Sequence, residues 1–247
     1  MKQLFIGFLL LGSFLQAQTL TIALAANVSY AMDELKTAFN KHCPDTKLRI
    51  IIGGSGKLKA QIQNGAPYDL FISANMQYPE ALYKEQLAIT KPKIYAYGAL
   101  AILSQKKRDF TKGIAIVKDS DIRRIALANP KTAPYGKAAK EALINAKLYK
   151  TIENKLIFGE SIAQTVTYTI TAADLGFIAK SALYSPKMNH FTEGKNYIEV
   201  DQRFYKPIAQ GIVILRHATD NSDAQKFYHF ILSDEAKTIF KKYGYTL

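Results

Sequence analysis

The chain is poor in the residues that build disulfide scaffolds and metal sites. It has 247 residues, but a single cysteine (Cys43), four histidines and no tryptophan. One cysteine excludes an internal disulfide. The histidines, at positions 42, 190, 217 and 229, show neither H-x-x-x-H nor H-x-E spacing, which zinc sites and zinc enzymes use. We therefore expect no cofactor, no bound metal cation and no histidine-based catalytic triad.

Acidic residues are also scarce, at 20 against 33 lysines and arginines, so the formal net charge is +13. A basic surface can bind nucleic acid or membranes, or steer anions toward a protein. Here the basic residues are scattered, and the densest clusters are Lys106–Arg108 and Lys241–Lys242. Because neither an arginine-rich arm nor an aromatic RNA-binding motif is present, we expect no nucleic-acid partner. The charge then indicates an ordinary solvated surface that weakly steers anions.

The N-terminus carries the pattern of a secretory signal peptide. Lys2 precedes the apolar run Leu4–Leu11, and Ala17 ends the stretch with a small residue. The run is too short for a membrane helix, which needs about 20 apolar residues. We predict that residues 1–17 are a signal peptide cleaved after Ala17, and that the mature protein is soluble in the periplasm. An N-terminal anchor helix is the alternative.

After the signal, short β-branched runs alternate with amphipathic helical patterns, which is typical of an α/β fold. Predicted short strands cover 19–25, 48–52, 69–73, 124–128, 155–158 and 175–178. Predicted helices cover 30–42, 58–65, 79–85, 136–147, 162–171, 222–232 and 234–243.

Two apolar runs, Ile94–Leu103 and Ile208–Leu215, are longer than the usual strand of about five or six residues. A strand that crosses between two lobes has this length, and each run contains a glycine where a hinge could bend, Gly98 and Gly211. We predict two lobes, each a sheet flanked by helices, joined by two hinge crossings with the ligand cleft between them. One larger sheet is the alternative. The predicted division is 18–97 with 207–247 for lobe 1, and 98–206 for lobe 2.

Four junctions that lead from a strand into a helix share small or capping residues. They are 25–29 (AANVS), 53–57 (GGSGK), 130–136 (PKTAPYG) and 159–164 (GESIAQ). Helix N-termini leave backbone N–H groups without internal partners and carry roughly half a positive charge each. Four such ends around one cleft would supply about +2, which matches a dianion without any lysine or arginine. Taken singly, each junction is better explained as a helix cap or a turn, so the prediction rests on several of them in one chain.

Enzyme motifs fail at the same places. The GGSGK stretch resembles a phosphate-binding P-loop only at Gly56-Lys57, because Ile51 and Leu58 stand where a glycine and a Ser/Thr are required. It also misses the nucleophile elbow of hydrolases, since Lys57 replaces the final glycine. We therefore predict a binding protein. An exported serine hydrolase using Ser55 is the alternative of another class, and a nonspecific basic adhesin is a third.

Across almost all of the mature chain, the sequence resembles the periplasmic molybdate-binding proteins of ABC uptake systems. The matching stretches are Ala25-Ala26-Asn27 with Ala31-Met32, Ser55 with Leu58 and Gln61-Ile62, GAPYDLFISA at 65–74, Pro134-Tyr135-Gly136 with AKEAL at 139–143, Leu175-Gly176-Phe177, and IFKKYGY at 239–245.

The resemblance implies a type II two-lobed binding protein that closes on a dehydrated oxyanion. Carried over residue by residue, it places Asn27 and Ser55 in lobe 1 as ligand-binding residues. Lobe 2 would contribute Tyr135 and the backbone N–H of Ile162. The implied ligand is molybdate, and tungstate is expected to bind at the same residues. Molybdenum is therefore bound only as the oxyanion. The implied partner is the membrane permease of an ABC transporter. The protein itself is expected to be a monomer.

Two departures from the family pattern bear on ligand specificity. Many members have serine where this chain has Asn27, and many have a tyrosine where it has Ala179. Tyr135 stands where many carry alanine, and it could supply the lost hydroxyl from another direction. A dianion without a proton accepts hydrogen bonds and donates none, so a site of neutral donors suits it. A receptor for sulfate or another tetrahedral oxyanion remains the alternative, because cavity size decides between them.

Overall fold

The computed structural model describes residues 19–247, which form two five-stranded sheets with flanking helices. The predicted signal peptide and its cleavage point after Ala17 lie outside the described residues. Within 19–247, every helix is too short or too polar to reach across a bilayer.

The first sheet combines strands from both ends of the chain. In chain order these are β1 (Thr19–Ala25), β2 (Lys47–Gly53), β3 (Leu70–Ile72), β4 (Lys93–Gly98) and β10 (Ile208–Ile214), and across the sheet they run β2-β1-β3-β10-β4. Its helices are α1 (Met32–His42), α2 (Ser55–Gln63), α3 (Gln77–Lys84), α7 (Ser222–Ile231) and α8 (Asp234–Lys242).

Side chains of β1 alternate between two apolar layers, as a strand buried on both faces requires. Ile22 and Leu24 pack in the layer that contains Phe39 of α1 and Phe227 of α7. Ala23 packs in the opposite layer, with α2 and α3. The first sheet is therefore covered on both faces.

The second sheet is built from the middle of the chain. Its strands are β5 (Leu100–Leu103), β6 (Ile125–Ala128), β7 (Leu156–Gly159), β8 (Leu175–Ala179) and β9 (Tyr197–Glu199), in the order β7-β6-β8-β5-β9. Its helices are α4 (Pro134–Asn145), α5 (Tyr149–Ile152) and α6 (Ile162–Thr171).

The predicted crossing strand 94–103 is divided at Ala99, so that β4 lies in the first sheet and β5 in the second. The chain returns through β10, which pairs antiparallel with both β3 and β4. The predicted α/β architecture of two lobes joined by two crossings is therefore confirmed. The lobe boundaries at 98 and 207, and hinge bending at Gly98 and Gly211, stay predictions.

Several local features differ from the sequence prediction, among them the short helix α5, which was not predicted. A 3-10 turn, Val28–Tyr30, precedes α1, so the predicted helix 30–42 begins at Met32. Strand β9 was not predicted, because it has three residues at a sheet edge with partly exposed side chains. Helix α2 begins at Ser55, with Gly54 as its N-cap, and not at 58 as predicted.

Candidate functional site

The four junctions singled out in the sequence converge on one cavity between the sheets. The strands that precede them, β1 with β2 and β6 with β7, are parallel pairs, so their carboxyl ends meet at the same sheet edge. The predicted ligand-binding residues Asn27, Ser55, Tyr135 and Ile162 all line this cavity. The remaining lining residues are Ala26, Gly53, Gly54, Ala74, Ala133 and Pro134.

The cavity is small, lies between buried residues and is free of formal charge. Its four predicted ligand-binding residues are between 0 and 4% exposed. Its volume is about 10 Å³, which is room for about one water molecule, so a five-atom oxyanion would need the lining groups to move apart. Among the lining residues of the described chain there is no lysine, arginine, histidine or carboxylate. Any charge on a bound ligand must therefore be met by neutral donors.

Three α-helices begin at the cavity wall, namely α2, α4 and α6. The backbone N–H groups of Ser55, Tyr135 and Ile162 lie in the first turns of these helices, where no internal acceptor is available. We find no other hydrogen-bond acceptor for them within 19–247. Because the first junction enters a 3-10 turn, three α-helix ends supply about +1.5 charge, less than the about +2 expected from four.

The start of α6 is fixed by two hydrogen bonds of the Ser161 and Gln164 side chains, with Ser161 as the N-cap. The Ser161 hydroxyl oxygen accepts from the Gln164 backbone N–H at 3.2 Å. In return, the Gln164 side-chain oxygen accepts from the backbone N–H of Glu160 at 2.6 Å. These bonds satisfy neighbouring donors, and Ile162, whose N–H lacks an acceptor in 19–247, is the residue of this turn that lines the cavity.

The Ser55 hydroxyl is held so that its oxygen is used by the protein and its hydrogen is not. Its Oγ accepts from the backbone N–H of Ala74 at 3.0 Å. The hydroxyl hydrogen has no acceptor among the described residues. A hydroxyl carries one donor hydrogen, so Ser55 has a donor to offer inside the cavity. A general base, which a serine hydrolase would need, is absent from the described cavity lining.

The Tyr135 hydroxyl, like that of Ser55, accepts a hydrogen bond from the protein through its oxygen. Its oxygen accepts from Nε2 of Gln210 at 3.1 Å, the Asn27 side chain lies within hydrogen-bond reach, and no bond that the hydroxyl itself donates is seen in residues 19–247. Burial raises the pKa of Tyr135 well above the usual value of a tyrosine. The side chain therefore stays a neutral donor at physiological pH.

Asn27 is tied into the protein through its side chain and its carbonyl. Its Nδ2 donates to Oε1 of Gln210 at 2.7 Å and to the Tyr245 hydroxyl at 3.0 Å. Its backbone oxygen accepts from Ser181 at 3.0 Å and from Tyr245 at 2.9 Å. Both side-chain hydrogens are thus engaged, which leaves the backbone N–H as the donor that Asn27 can offer. Its Oδ1 is buried without a partner among the described residues.

Gln210 and Tyr245 were missed in the sequence, although both contact predicted site residues. Gln210 is completely buried within an otherwise apolar strand. A lone polar residue inside the run IAQGIVIL was the available signal, because a buried amide needs partners. Tyr245 gave no signal distinct from an ordinary core aromatic.

The lobes meet around the cavity through both backbone and side-chain contacts. The N–H of Gly56 in α2 donates to the carbonyl oxygen of Thr132 across the cleft at 3.0 Å, and the Tyr78 hydroxyl reaches the same oxygen at 3.4 Å. Lys57 and Glu160 form an exposed ion pair at 3.6 Å. The structure therefore has its two lobes closed on each other.

The buried tyrosines predict how stability depends on alkaline pH. Burial raises the pKa of Tyr95 and of Tyr135, and that of Tyr245 rises for the same reason. In the unfolded chain a phenol titrates near its ordinary pKa of about 10. A folded-state pKa above the unfolded one means that stability is complete below about pH 10 and is lost as the pH rises further.

We therefore expect the melting temperature to be insensitive to these groups up to about pH 9.5 and to fall steeply above about pH 10. Thermal unfolding followed by circular dichroism across this range measures it. Tyr95→Phe should flatten the fall, whereas Tyr184→Phe, at a side chain that is 47% exposed, should leave it unchanged. An unaltered fall in Tyr95→Phe would contradict this assignment.

Sequence and structure comparisons place the chain among known binding proteins. Residues 20–246 match the family described as bacterial extracellular solute-binding proteins. The molybdate-binding protein ModA of Azotobacter vinelandii is 36% identical over 246 residues, covering 98% of this chain and 95% of that protein. ModA of Rhodobacter capsulatus is 33% identical, covering 90% and 86%.

A solved structure, the periplasmic molybdate-binding protein of Azotobacter vinelandii, matches with a TM-score of 0.85 and 29% identity, over 92% of this chain and 99% of that one. The resemblance seen in the sequence and the prediction of a binding protein instead of an enzyme are thereby confirmed. The chain belongs to the family of bacterial extracellular solute-binding proteins.

Proposed function

We propose that this protein captures molybdate between its two lobes and delivers it to the membrane permease of an ABC transporter. Tungstate, an oxyanion of the same shape and charge, would occupy the same site. The observation that carries the proposal is one closed cavity lined by neutral donors from both lobes, with no charged side chain among its described lining residues. Relatives that are themselves named molybdate-binding proteins support the choice of ligand.

Neutral donors suit a dianion that carries no proton. Burying a charge without partners is very costly, so each ligand oxygen must meet donors. Hydrogen bonds to charged groups contribute about 1.5–3 kcal/mol each. The Ser55 and Tyr135 hydroxyls and the backbone N–H groups of Asn27 and Ile162 supply such bonds from both lobes. Because each of the two lobes contributes donors, the full set of donors surrounds the ligand only when the cleft is closed.

The remaining parts of the proposal follow from the sequence. A signal peptide at 1–17 would export the chain to the periplasm. The mature protein would act as a soluble monomer without a nucleic-acid partner, and its net charge of +13 would steer oxyanions weakly toward the cleft.

Isothermal titration calorimetry of the protein from Gln18 onward with molybdate, tungstate, sulfate and phosphate tests the proposal. Molybdate and tungstate are expected to bind tightly with a stoichiometry of one. A ligand at about 100-fold excess over Kd should add about 2.7 kcal/mol to the free energy of unfolding. Tight sulfate binding without a molybdate response would establish the alternative oxyanion receptor. Absence of any oxyanion response would refute the proposed site.

A further inference from the structure

Gln210 occupies a place in the fold that touches both walls of the cavity. It lies on β10, the strand by which the chain returns to the first sheet, where it pairs with Ala96 of β4. The strand register shifts between Gln210 and Gly211. The side chain is completely buried, so each of its polar atoms must find a partner within the protein.

The amide of Gln210 uses its two ends differently. Its oxygen accepts from Asn27 Nδ2 at 2.7 Å and from the Tyr95 hydroxyl at 2.8 Å. Its nitrogen donates to the Tyr135 hydroxyl oxygen at 3.1 Å. Asn27 and Tyr135 line the cavity from opposite lobes. One side chain outside the lining therefore joins two groups within it.

This polarity decides where the Tyr135 proton goes. A phenol has one hydrogen to donate, and the Gln210 N–H already occupies the phenol oxygen as a donor. The Tyr135 hydrogen cannot point back at that N–H, so it is left for an acceptor in the cavity, either a ligand oxygen or the unpartnered Oδ1 of Asn27. Were the group at position 210 an acceptor instead, the Tyr135 hydrogen would bond to it and would be lost to a ligand.

The orientation of the Asn27 amide is coupled to that of Gln210. Its nitrogen faces the Gln210 oxygen, and its own oxygen has no partner among the described residues. Exchanging the two ends of Asn27 would set two oxygens 2.7 Å apart unless Gln210 turned as well. That turn would make Tyr135 donate to Gln210. The two amides thus change together or not at all.

We propose that Gln210 is a positioning residue that fixes the donor polarity of the oxyanion site, by holding the Tyr135 hydroxyl so that its hydrogen points at the ligand. This inference rests on the proposed function, because it concerns the same cavity. Gln210 acts through Tyr135 and Asn27 and does not touch the ligand. It selects for ligands whose oxygens accept hydrogen bonds.

A double-mutant cycle between Gln210→Glu and Tyr135→Phe tests the proposal by molybdate titration of the folded proteins. Tyr135→Phe alone should weaken binding about 10- to 150-fold, the range for one hydrogen bond to a charged group. Gln210→Glu should weaken it at least as much. In the Gln210→Glu background, Tyr135→Phe should change the affinity by less than about threefold, because the Tyr135 hydrogen is already given to the carboxylate.

The pH profile separates this role from a merely structural one. A buried carboxyl has a raised pKa, and once protonated it again offers one donor and one acceptor. Molybdate affinity of Gln210→Glu should therefore recover between about pH 8 and pH 6, while that of the unaltered protein should not rise in parallel. Gln105→Glu is the matched control. Gln105 is exposed and follows the C-terminal end of β5, which pairs with the start of β8. It should leave affinity unchanged.

The outcomes are distinct. If the unaltered protein binds no tetrahedral oxyanion, the proposed function fails before the cycle begins. The unaltered protein could bind the oxyanion, and Tyr135→Phe could reduce the affinity equally with Glu and with Gln at position 210. In that case Gln210 does not orient Tyr135 and the inference is wrong. Gln210→Met, which introduces no charge, covers the case in which Gln210→Glu fails to fold. It should weaken binding about threefold to tenfold, and unchanged affinity would overturn the proposal.

Discussion

Gly56→Ala is expected to weaken molybdate binding about 100-fold while making the ligand-free protein slightly more stable. A Cβ at this position would lie 2.6 Å from the Thr132 carbonyl oxygen and 3.0 Å from the Tyr78 hydroxyl. The first of these is backbone of the opposite lobe, which cannot swing aside. The added methyl group therefore holds the cleft open, and donors from the two lobes no longer meet around one ligand.

The opposite effect on stability comes from the helix. Gly56 lies in the first turn of α2, and replacing glycine by alanine in a helix stabilises the fold by about 0.4–1 kcal/mol. Calorimetric titration gives the affinity, and thermal unfolding without ligand gives the stability.

Lys57→Ala is the matched control for Gly56→Ala on the neighbouring residue. It removes an exposed ion pair across the cleft, and exposed pairs contribute about 0.2–1 kcal/mol, so affinity should fall by less than about fivefold. If Gly56→Ala bound molybdate like the unaltered protein, closure to the observed contact between lobes would not be required for binding.

Tyr135→Phe is expected to weaken molybdate binding about 10- to 150-fold, whereas Tyr95→Phe should leave it within about threefold. Both tyrosines are buried, and both hydroxyls bond to Gln210. They differ in the acceptor that is available to the hydroxyl hydrogen. The Tyr95 hydrogen is donated within the protein, to Gln210 or to the Ser73 carbonyl, whereas only Tyr135 lines the cavity.

Tyr95→Phe and Tyr135→Phe should differ less in their effects on stability than in their effects on molybdate affinity. Each leaves one buried partner without its hydrogen bond, at a cost of about 1–3 kcal/mol. Melting temperatures of the two ligand-free variants should therefore fall by similar amounts. Equal losses of affinity in Tyr95→Phe and Tyr135→Phe would show that the hydroxyl of Tyr135 supports the fold and not the ligand.

Much of the fold was readable from the sequence because burial patterns are periodic. The alternating runs gave the strands and helices, and the two long apolar runs predicted the crossings between lobes. Gly98, which was singled out as a hinge, lies next to Ala99, where the run changes sheets. What could not be read was that the two halves of this apolar run form separate strands in different sheets, because the run is apolar on both sides of the glycine. The edge strand Tyr197–Glu199 was missed, since it is half-buried and short.

The site was predicted to the extent that it consists of helix starts. Junctions with glycine, serine and asparagine signal backbone N–H groups and capping groups, and all four lie at one cavity. The polarity of each donor was not predictable, because it depends on residues far away in sequence. The Ser55 hydrogen is freed by Ala74, and the Tyr135 hydrogen by Gln210. Such partners are set by tertiary packing, which no local pattern reports.

The central claim is that uncharged groups from both lobes together solvate a bare dianion, and anomalous X-ray diffraction from crystals grown with molybdate tests it most directly. We expect one strong molybdenum peak in the cavity, with ligand oxygens in hydrogen-bond contact with Ser55 and Tyr135 and with the N–H of Ile162. No lysine or arginine should touch the ligand. A peak held by basic side chains at the surface, with the cavity empty, would contradict the account.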